Sequence, residues 1–455
     1  MDRHNYMTLL TGQIRCRRAR PMIEEEITAH IDDQKLDFLS QGMTEQEAED
    51  AAVREMGDPV EVGAELDRIH RPRYDLRLLG FIIGLNGLAV ALQISVLKLA
   101  ELCSPNGMVT QQLTMESMLS HMGAWLVLGV AVMLGVCFFD YTLIGKYALW
   151  ILGALLIVMV GCTQLRGGAY WMRALTGNFF ISLIVPAYAA VIYHYRGKGT
   201  AGLRRCIILL IITVLCSNLC GAGIWYQGML YLVGGTAVMT VIIKGWFGKN
   251  ARRLLVEAAI WVIGLPMAAV LLLFLSGRTL LAPYQQARLE AIGNPDKEEN
   301  AWFTYLSETM STASQEIRRQ EKAGSAAPSL SKGVTESSDL WLSNARSDYV
   351  WLFIFKMFGT WQGAVVTALV FAFLFWLFVL VHRQKNYLGF IIGLSCALMF
   401  LLETALYMAF NFNLLPGGSV YMPFFTYGGI NMIVTHLYMG LFLSISRNER
   451  LVPIR

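Results

Sequence analysis

Apolar stretches long enough to cross a bilayer recur along this chain from about residue 76 onward. About 20 consecutive apolar residues in a helix span the hydrocarbon core of a membrane. Because lipid offers no hydrogen-bond partner to the backbone, such stretches must be helical. We therefore predict an all-α polytopic membrane protein with about ten transmembrane helices. The stretches fall at 77–98, 121–139, 146–163, 178–195, 206–222, 225–243, 253–276, 357–381, 387–411 and 425–446.

The composition agrees with a chain that lies mostly in lipid. Of its 455 residues, 55% are hydrophobic and 15% are charged, whereas soluble domains carry about 25% charged residues. The net charge of +4 is small, and no nucleic-acid partner is predicted from it. The eight Cys residues lie mostly inside apolar runs, so we interpret them as packing residues and not as a disulfide framework.

Residues 1–75 are polar and predict a small cytoplasmic module of three helices. Thr44 and Glu47 have the spacing of a capping box, and Asp58-Pro59 has the pattern of an N-cap followed by Pro at the first helical position. This segment has no apolar region typical of a cleaved signal peptide, so the first apolar helix is expected to direct insertion. The apolar residues near one helical face are Ile23, Ile27, Ile31 and Phe38.

Basic residues cluster in the connections that follow the fourth, sixth and eighth predicted helices. Lys and Arg favour the cytoplasmic side of short loops, so both chain ends are predicted to be cytoplasmic. The membrane domain would then cover residues 76–455, with a large outer loop at about 277–347. The basic residues are Arg196, Lys198, Arg204, Arg205, Lys244, Lys249, Arg252, Arg253, Arg383 and Lys385.

Three motifs give this membrane domain a family resemblance. The stretch LLPGGSVYMPFFTYGGIN before the last helix, PYQQARLEAIGNP in the outer loop and RSDYVWLFIFKMFG at its end occur in one order. Together they resemble the shape, elongation, division and sporulation (SEDS) proteins, the FtsW, RodA and SpoVE group, which have ten helices. The module at 1–75 resembles a permease prefix domain, which implies a Gram-positive bacterial host and a location in the cell membrane.

The resemblance implies an activity. Members of the family polymerise a lipid-linked disaccharide pentapeptide at the outer membrane face during division, elongation or sporulation. An acceptor hydroxyl attacks the donor's anomeric carbon, and an isoprenoid pyrophosphate leaves. The reaction needs a carboxylate that accepts the hydroxyl proton, and the resemblance implies Asp348 as this catalytic base. Its position alone favours an N-cap of the following helix, and the two roles are compatible.

Other residues are candidates for binding or shaping the site. Arg288 and Arg346 are predicted outer-side cations that suit pyrophosphate oxygens. Ionisable residues within the bilayer are rare, which singles out Glu403, Lys356 and His436. Lys356 could instead extend to the interface, and His436 could bond a neighbouring helix. Tyr427 belongs to the binding set, and the pocket-shaping residues of the same motif are Pro416, Pro423, Gly428 and Gly429.

The resemblance also implies ligands and partners. These are the lipid-linked peptidoglycan precursor, membrane lipids, a class B penicillin-binding protein and a divalent cation, Mg or Mn. The residues themselves show no metal-ligand pattern.

The chain departs from the family at several charged positions. The Glu and Lys near the start of the fourth helix are replaced by Leu183 and Pro186, and a Glu pair after the Asp is replaced by Lys356-Met357. The loss of these charges favours one alternative, a non-catalytic scaffold or regulator of a cell-wall synthesis complex. The resemblance implies a second alternative, a flippase for the lipid-linked precursor.

Overall fold

The computed structural model describes residues 1–16, 19–70, 75–103, 115–165, 170–248, 250–264, 266–267, 275, 286, 298–323, 330–331, 334–335, 342, 345–415 and 420–448. Regular structure within these residues is helical throughout, with seventeen α-helices and two π-helical turns. The all-α prediction is confirmed. The helices are α1 (Arg3–Gln13), α2 (Arg20–Ser40), α3 (Glu45–Glu55), α4 (Pro59–His70), α5 (Leu76–Cys103), α6 (Met115–Phe138), α7 (Thr142–Lys146), α8 (Ala148–Leu165), α9 (Tyr170–His194), α10 (Gly199–Leu219), α11 (Ile224–Ile243), α12 (Ala251–Ala259), α13 (Glu298–Lys322), α14 (Val350–Phe353), α15 (Thr360–Arg383), α16 (Tyr387–Asn411) and α17 (Gly429–Arg447).

Eight of the described helices are long and apolar enough to cross a membrane, namely α5, α6, α9, α10, α11, α15, α16 and α17. The third predicted segment corresponds to a shorter apolar stretch of α8, Ala148–Cys162. The seventh, 253–276, begins as α12 and continues as a π-helical turn, Ile260–Gly264. Most of its remainder lies outside the described residues. The chain is thus a multi-span membrane protein.

Contacts divide the chain into two units. The first comprises Met1–Leu76, Gln384–Tyr387 and Leu443–Arg455, and the second comprises Arg77–Arg383 and Leu388–Phe442. The domain assignments made from the sequence, including the prefix-like identity of the module, stay predictions.

The first unit contains four helices before residue 71, one more than the sequence predicted. The additional helix, α1, buries Tyr6 and Leu10 in the same core as Ile23 and Ile31 of α2. At the start of α3, both the backbone N–H and the hydroxyl of Thr44 donate to the Glu47 carboxylate, at 3.1 and 2.6 Å. The capping pattern therefore has its expected form.

Within the second unit, α9, α16 and α17 contribute the most buried spans. Between 72% and 78% of their apolar windows is buried, whereas the windows of α5, α6, α10 and α15 are 22–33% buried. Large apolar side chains of these four helices, such as Val127, Leu215 and Phe375, are exposed, so lipid can cover them. The inner helices carry several buried polar side chains, including Ser182, Glu403 and His436.

Small residues and polar side chains hold the inner helices together. The Tyr438 hydroxyl of α17 donates a 2.6 Å hydrogen bond to the Ser182 carbonyl oxygen of α9. Gly440 lies where an added Cβ would come within 2.7 Å of the Met133 carbonyl oxygen of α6. Close approach over small residues and hydrogen bonds between helices are typical of membrane bundles.

A long helix in the predicted outer loop was missed by sequence reasoning. Helix α13 buries Leu306, Met310 and Ala313 against Leu99 at the end of α5 and Phe353 of α14. The spacing of these residues follows one face of a helix. This packing places α13 beside the segment that carries Asp348.

Candidate functional site

The candidate site is built around residues 345–359, between the outer-loop helix and α15. Short helix α14 is continued by a π-helical turn, Ile354–Phe358, and Gly359 then adopts a left-handed φ of 111°. Glycine adopts this conformation without the steric cost that a side chain brings. The chain thereby changes direction before α15, which leaves Asp348 at the start of a short, separate helical segment. Helical irregularities of this π type are frequent at functional sites.

Two side chains of α16 fix the backbone around Asp348. The Tyr407 hydroxyl donates to the Ser347 carbonyl oxygen at 2.7 Å and accepts from the Val350 N–H at 3.0 Å. The Asn411 amide, one turn further along α16, donates to the Asp348 carbonyl oxygen at 2.9 Å. Its oxygen accepts from the N–H groups of the two residues that follow Val350, both at 3.1 Å.

These bonds bear on the two interpretations of Asp348. The first N–H groups of a helix have no partner within the helix, and in α14 they are bonded by Tyr407 and Asn411. The N-cap position is Tyr349, with no side-chain capping bond. Asp348 therefore does not act as the N-cap that its position suggested. Its side chain is exposed, between half-buried Ser347 and buried Tyr349, and its catalytic role stays a prediction.

Arg346 and Tyr427, predicted as separate binding residues, lie together. The Arg346 guanidinium stacks 4.3 Å from the centre of the Tyr427 ring. The Tyr427 N–H donates to the Arg346 carbonyl oxygen at 3.0 Å. Gln93 of α5 donates to the same oxygen at 3.2 Å and to the Phe425 carbonyl oxygen at 3.1 Å. Burial lowers the pKa of the Arg346 guanidinium, and the Tyr427 hydroxyl opposes this shift.

The motif before α17 forms a compact turn at residues 420–428. Its positive φ of 69° occurs at Phe424 and not at either glycine of the motif. Gly429 is required for space, because an added Cβ would overlap the ring of Trp125 on α6. Around Gly428 the nearest such atom is Asn431 Cβ at 4.0 Å, so this glycine has more room. Pro423 is buried in the turn.

Glu403 lies in the interior of the second unit, in a cavity that also borders this turn. Its side chain is 3% exposed. It lines a narrow cavity together with polar side chains from α9, α11, the 420–428 turn and the start of α17, namely Asn178, Ser182, Tyr226, Tyr421 and Asn431. A carboxyl group at this depth is costly without polar partners. The structure therefore places Glu403 in a polar internal pocket.

Tyr421 connects this pocket to Asp348. The phenol lines the Glu403 cavity, and it is close enough to Asp348 for the two groups to interact electrostatically. Burial raises the pKa of Tyr421 to about 12, and the Asp348 carboxylate contributes to the same shift. Because the phenol stays protonated at neutral pH, it can donate a hydrogen bond at the boundary between the two sites.

Two further predicted residues, Lys356 and His436, are not part of this arrangement. Lys356 lies half-buried in the π-helical turn, and the described lining of the Glu403 cavity does not include it. His436 bonds the carbonyl oxygen of Met432 in its own helix at 2.8 Å, not a neighbouring helix as suggested. Arg288 and Pro416 lie outside the described residues. Within the described part of the chain, no three His, Cys, Asp or Glu side chains are grouped to hold a metal ion.

Sequence reasoning missed Tyr407, Asn411, Gln93 and Tyr421. A signal was available for the first two, because a Tyr and an Asn four residues apart at the end of an apolar helix lie on one face. No pattern in the sequence indicated that Gln93, more than 250 residues away, would bond the Arg346 carbonyl oxygen.

Comparison with known proteins gives this arrangement a context. A family model described as cell cycle protein, for FtsW, RodA and SpoVE, matches residues 85–451, which is most of the chain. The fold is also similar to a chain in a solved structure. That structure is described as "Structural coordination of polymerization and crosslinking by a peptidoglycan synthase complex". That match has a TM-score of 0.56 and 15% identity, and covers 83% of this chain and 98% of that chain. At this identity the likeness shows the fold alone.

Three relatives are each described as a probable peptidoglycan glycosyltransferase FtsW. The protein of Thioalkalivibrio sp. is 26% identical over 174 residues, which cover 37% of this chain and 41% of that protein. The protein of Hydrogenovibrio crunogenus is 22% identical, and the match covers 66% of this chain and 74% of that protein. The protein of Halorhodospira halophila is 23% identical, with 66% and 72% covered. The chain thus spans less than half of the first relative and about three quarters of the other two.

Proposed function

Because the chain belongs to the FtsW, RodA and SpoVE family of cell cycle proteins, we propose that it is a glycosyltransferase that polymerises a lipid-linked peptidoglycan precursor. The substrate is the lipid-linked disaccharide pentapeptide, and the reaction takes place at the outer face of a bacterial cell membrane. Both chain ends are cytoplasmic in this proposal, as the distribution of Lys and Arg in the loops indicates.

The main support for the proposal is the setting of Asp348. Its side chain is exposed, and side chains of α16 hold the backbone around it by hydrogen bonds. The carbonyl oxygens of Ser347 and Asp348 are both bonded by side chains of α16, as are the following N–H groups. A catalytic base must be held close to the productive geometry by surrounding packing and hydrogen bonds. An Asp with only a surface role needs no such support.

In the proposed reaction, Asp348 accepts the proton of the acceptor sugar's 4-hydroxyl as its oxygen bonds to the donor's anomeric carbon. The bond from that carbon to the isoprenoid diphosphate breaks, and its electron pair leaves with the diphosphate. Arg346 is largely buried against Tyr427, so its role in this scheme is to position the segment before Asp348 and to contribute positive charge. Arg288 is proposed as the more direct diphosphate ligand.

A divalent cation, Mg or Mn, is part of the proposal. Mg²⁺ is commonly held by one or two carboxylates together with phosphate oxygens of the substrate. Asp348 offers one exposed carboxylate, which suits that mode of binding. When bound, the cation would neutralise charge on the diphosphate.

The setting of the reaction follows the family. We propose that the chain acts in division, elongation or sporulation beside a class B penicillin-binding protein, in a Gram-positive host. Support for a partner comes from the similarity to a chain of a peptidoglycan synthase complex. Co-purification of a transpeptidase with the tagged full-length chain tests this part, and its loss on changing exposed membrane-facing residues would locate the contact.

The central test is polymerisation of fluorescent lipid-linked precursor by purified protein in liposomes. Wild type is expected to form polymer, Asp348→Asn to lose it by at least a hundredfold, and a chelator to lower it. Glu308→Gln, on the exposed face of α13, is a matched control for the loss of one acid in the loop and is expected to keep activity. Full activity of Asp348→Asn would remove this residue from the mechanism.

A non-catalytic scaffold is the second candidate, and the interior of α9 favours it. Where the family has charged residues, this chain has Leu183, which is half-buried, and Pro186, which is buried. Under this proposal, folded wild type binds lipid-linked precursor or its partner but forms no polymer. Movement of labelled precursor across the bilayer without polymerisation would instead support the flippase alternative.

A further inference from the structure

A second pocket lies beside the Asp348 segment, between the end of α5, helix α13 and residues 353–358. Its volume is about 400 Å³. Two cations and one acid face it, Lys98, Arg318 and Glu321. Asp348 and Glu403 are not among its described lining residues, so it is distinct from the proposed reaction site.

The walls of this pocket are apolar on one side and charged on the other. Leu99 and Phe353 belong to the hydrophobic core that α13 forms with α5 and α14, and both also line the pocket. Lys98 is the last residue of the apolar segment 77–98 predicted from the sequence, and α5 continues beyond it to Cys103. A cation at that position lies at the boundary between hydrocarbon and water, where the heads of long basic side chains are found.

The charges in the pocket are available to a ligand. Arg318 donates one hydrogen bond, from Nη2 to the Met357 carbonyl oxygen at 3.0 Å, and guanidinium has four further N–H donors. Among the described residues, Lys98 forms no ion pair and no hydrogen bond through its ammonium group. Among the described lining residues, Glu321 opposes the two cations, which leaves a net charge of +1 that attracts anions.

We propose that this pocket binds the phosphate of a membrane amphiphile, with Lys98 and Arg318 as its cations and Leu99 and Phe353 against its hydrocarbon. Phosphate oxygens are the anionic partners that Arg and Lys commonly bind, and a hydrocarbon chain explains why the opposite wall is apolar. A soluble phosphate compound would leave that wall uncovered. The shared chemistry is a phosphate attached to a long hydrocarbon chain, from either a phospholipid or an isoprenyl diphosphate.

Binding here would act on the segment that carries Asp348. Phe353, Met357 and Phe358 all line the pocket, and they belong to α14 and the π-helical turn that follow Asp348. Tyr407 and Asn411 hold this segment from the α16 side. A lipid in the pocket would therefore hold it from the other side, without taking part in the reaction.

The test is lipid binding to the delipidated full-length protein, measured by native mass spectrometry. The probes are phosphatidylglycerol, a long-chain isoprenyl diphosphate and diacylglycerol, which has the tails of the first probe without its phosphate. Lys98→Ala is expected to weaken binding of a phosphate probe about tenfold, whereas Lys98→Arg keeps it. The control is Arg319→Ala, since Arg319 is the exposed neighbour of Arg318 but does not line the pocket.

Arg318→Ala is a weaker test, because it also removes the bond to Met357. Selective binding of phosphatidylglycerol would identify a bilayer lipid as the occupant, and selective binding of the isoprenyl diphosphate would identify a substrate-like one. Equal binding of diacylglycerol, or equal effects of Lys98→Ala and Arg319→Ala, would overturn the proposal. Because binding is measured without turnover, and in Asp348→Asn as well, the result is independent of whether the protein polymerises.

Discussion

The phenolic hydroxyl of Tyr438 on α17 donates a 2.6 Å hydrogen bond to the backbone carbonyl oxygen of Ser182 on α9. Pro186 stands four residues after Ser182, inside the same helix, and Pro has no N–H for the carbonyl of the residue four before it. Tyr438 thus supplies from another helix the donor that α9 lacks. An interior Pro is tolerated in a membrane helix when a neighbouring group satisfies the freed carbonyl in this way.

This relationship predicts a coupling between Tyr438 and Pro186. Tyr438→Phe is expected to lower the free energy of unfolding by about 1 kcal/mol, because it leaves a buried carbonyl unpaired. In a Pro186→Ala background, residue 186 has an N–H that can bond the Ser182 carbonyl oxygen. Tyr438→Phe should then lower the free energy of unfolding by less. A double-mutant cycle in mixed micelles measures the difference. Tyr231→Phe, which loses a bond to Trp261, is the additive control, and equal Tyr438→Phe costs in both backgrounds would contradict the coupling.

Length and hydropathy are sufficient to predict most of the membrane architecture. Segment 387–411 coincides with α16, and 225–243 differs from α11 by one residue, because a bilayer span needs a fixed length of apolar helix. Helix α13 was missed because its apolar face, with Leu306 and Met310, is diluted by charged residues within a long loop. Helix α1 was missed for a similar reason, since its buried residues are few and spaced among polar ones.

Removal of the Asn411 side chain is expected to release the Asp348 segment. Asn411→Ala would lose bonds to one carbonyl oxygen and two N–H groups of residues 348–352, at about 2–3 kcal/mol in a buried setting. We expect faster amide exchange at Trp351 and Leu352, and lower polymerisation if the protein polymerises. Tyr407→Phe should expose the Val350 amide instead. Unchanged exchange at all three amides would show that other contacts hold the segment.

The candidate site was only partly predictable, and the reason is physical. The motifs located Asp348 and Tyr427 because each lies in a short stretch with a recognisable pattern. The contacts that hold them come from distant parts of the chain, Gln93 on α5 and Asn411 on α16. A polar residue near the end of an apolar helix gives no indication of its partner, so tertiary structure was needed to assign these roles.

The two glycines of the motif before α17 should respond differently to substitution. Gly429→Ala would place a methyl group on the Trp125 ring, and overpacking of this kind typically costs about 1–3 kcal/mol. Gly428→Ala meets only an ordinary contact at 4.0 Å and is expected to stay within about 0.5 kcal/mol of wild type. Thermal unfolding in detergent compares them. Trp125→Ala should rescue Gly429→Ala, and a failure to do so would assign the cost to the backbone.

The capping box in the first unit should make α3 sensitive to acid. Hydrogen bonds from the Thr44 hydroxyl and then the Thr44 N–H lower the pKa of Glu47 below its ordinary value of 4.5. A carboxyl group with a lowered folded-state pKa stabilises the fold above its unfolded pKa, and the effect is lost as pH falls through the folded value. Thr44→Ala should therefore speed amide exchange in residues 45–55 at pH 6, and this difference should shrink at pH 3.5. Gln46→Ala, an exposed neighbour, is the control, and a pH-independent Thr44→Ala effect would exclude Glu47.

Glu403 offers a test that separates stability from function. Its carboxyl group lies in an interior cavity, where an ionisable group costs more than a neutral amide of the same size. Glu403→Gln is therefore expected to raise the free energy of unfolding by about 1 kcal/mol. If the carboxyl group serves the reaction or substrate binding, the same variant should lose polymerisation, because functional sites are often retained at the expense of stability.

Glu257→Gln is the matched control. It breaks the 2.6 Å pair with Arg204 and should not raise the free energy of unfolding. A more stable variant with full activity would show that Glu403 is dispensable for function. A less stable variant would show that the carboxyl group makes an interaction that the amide cannot make.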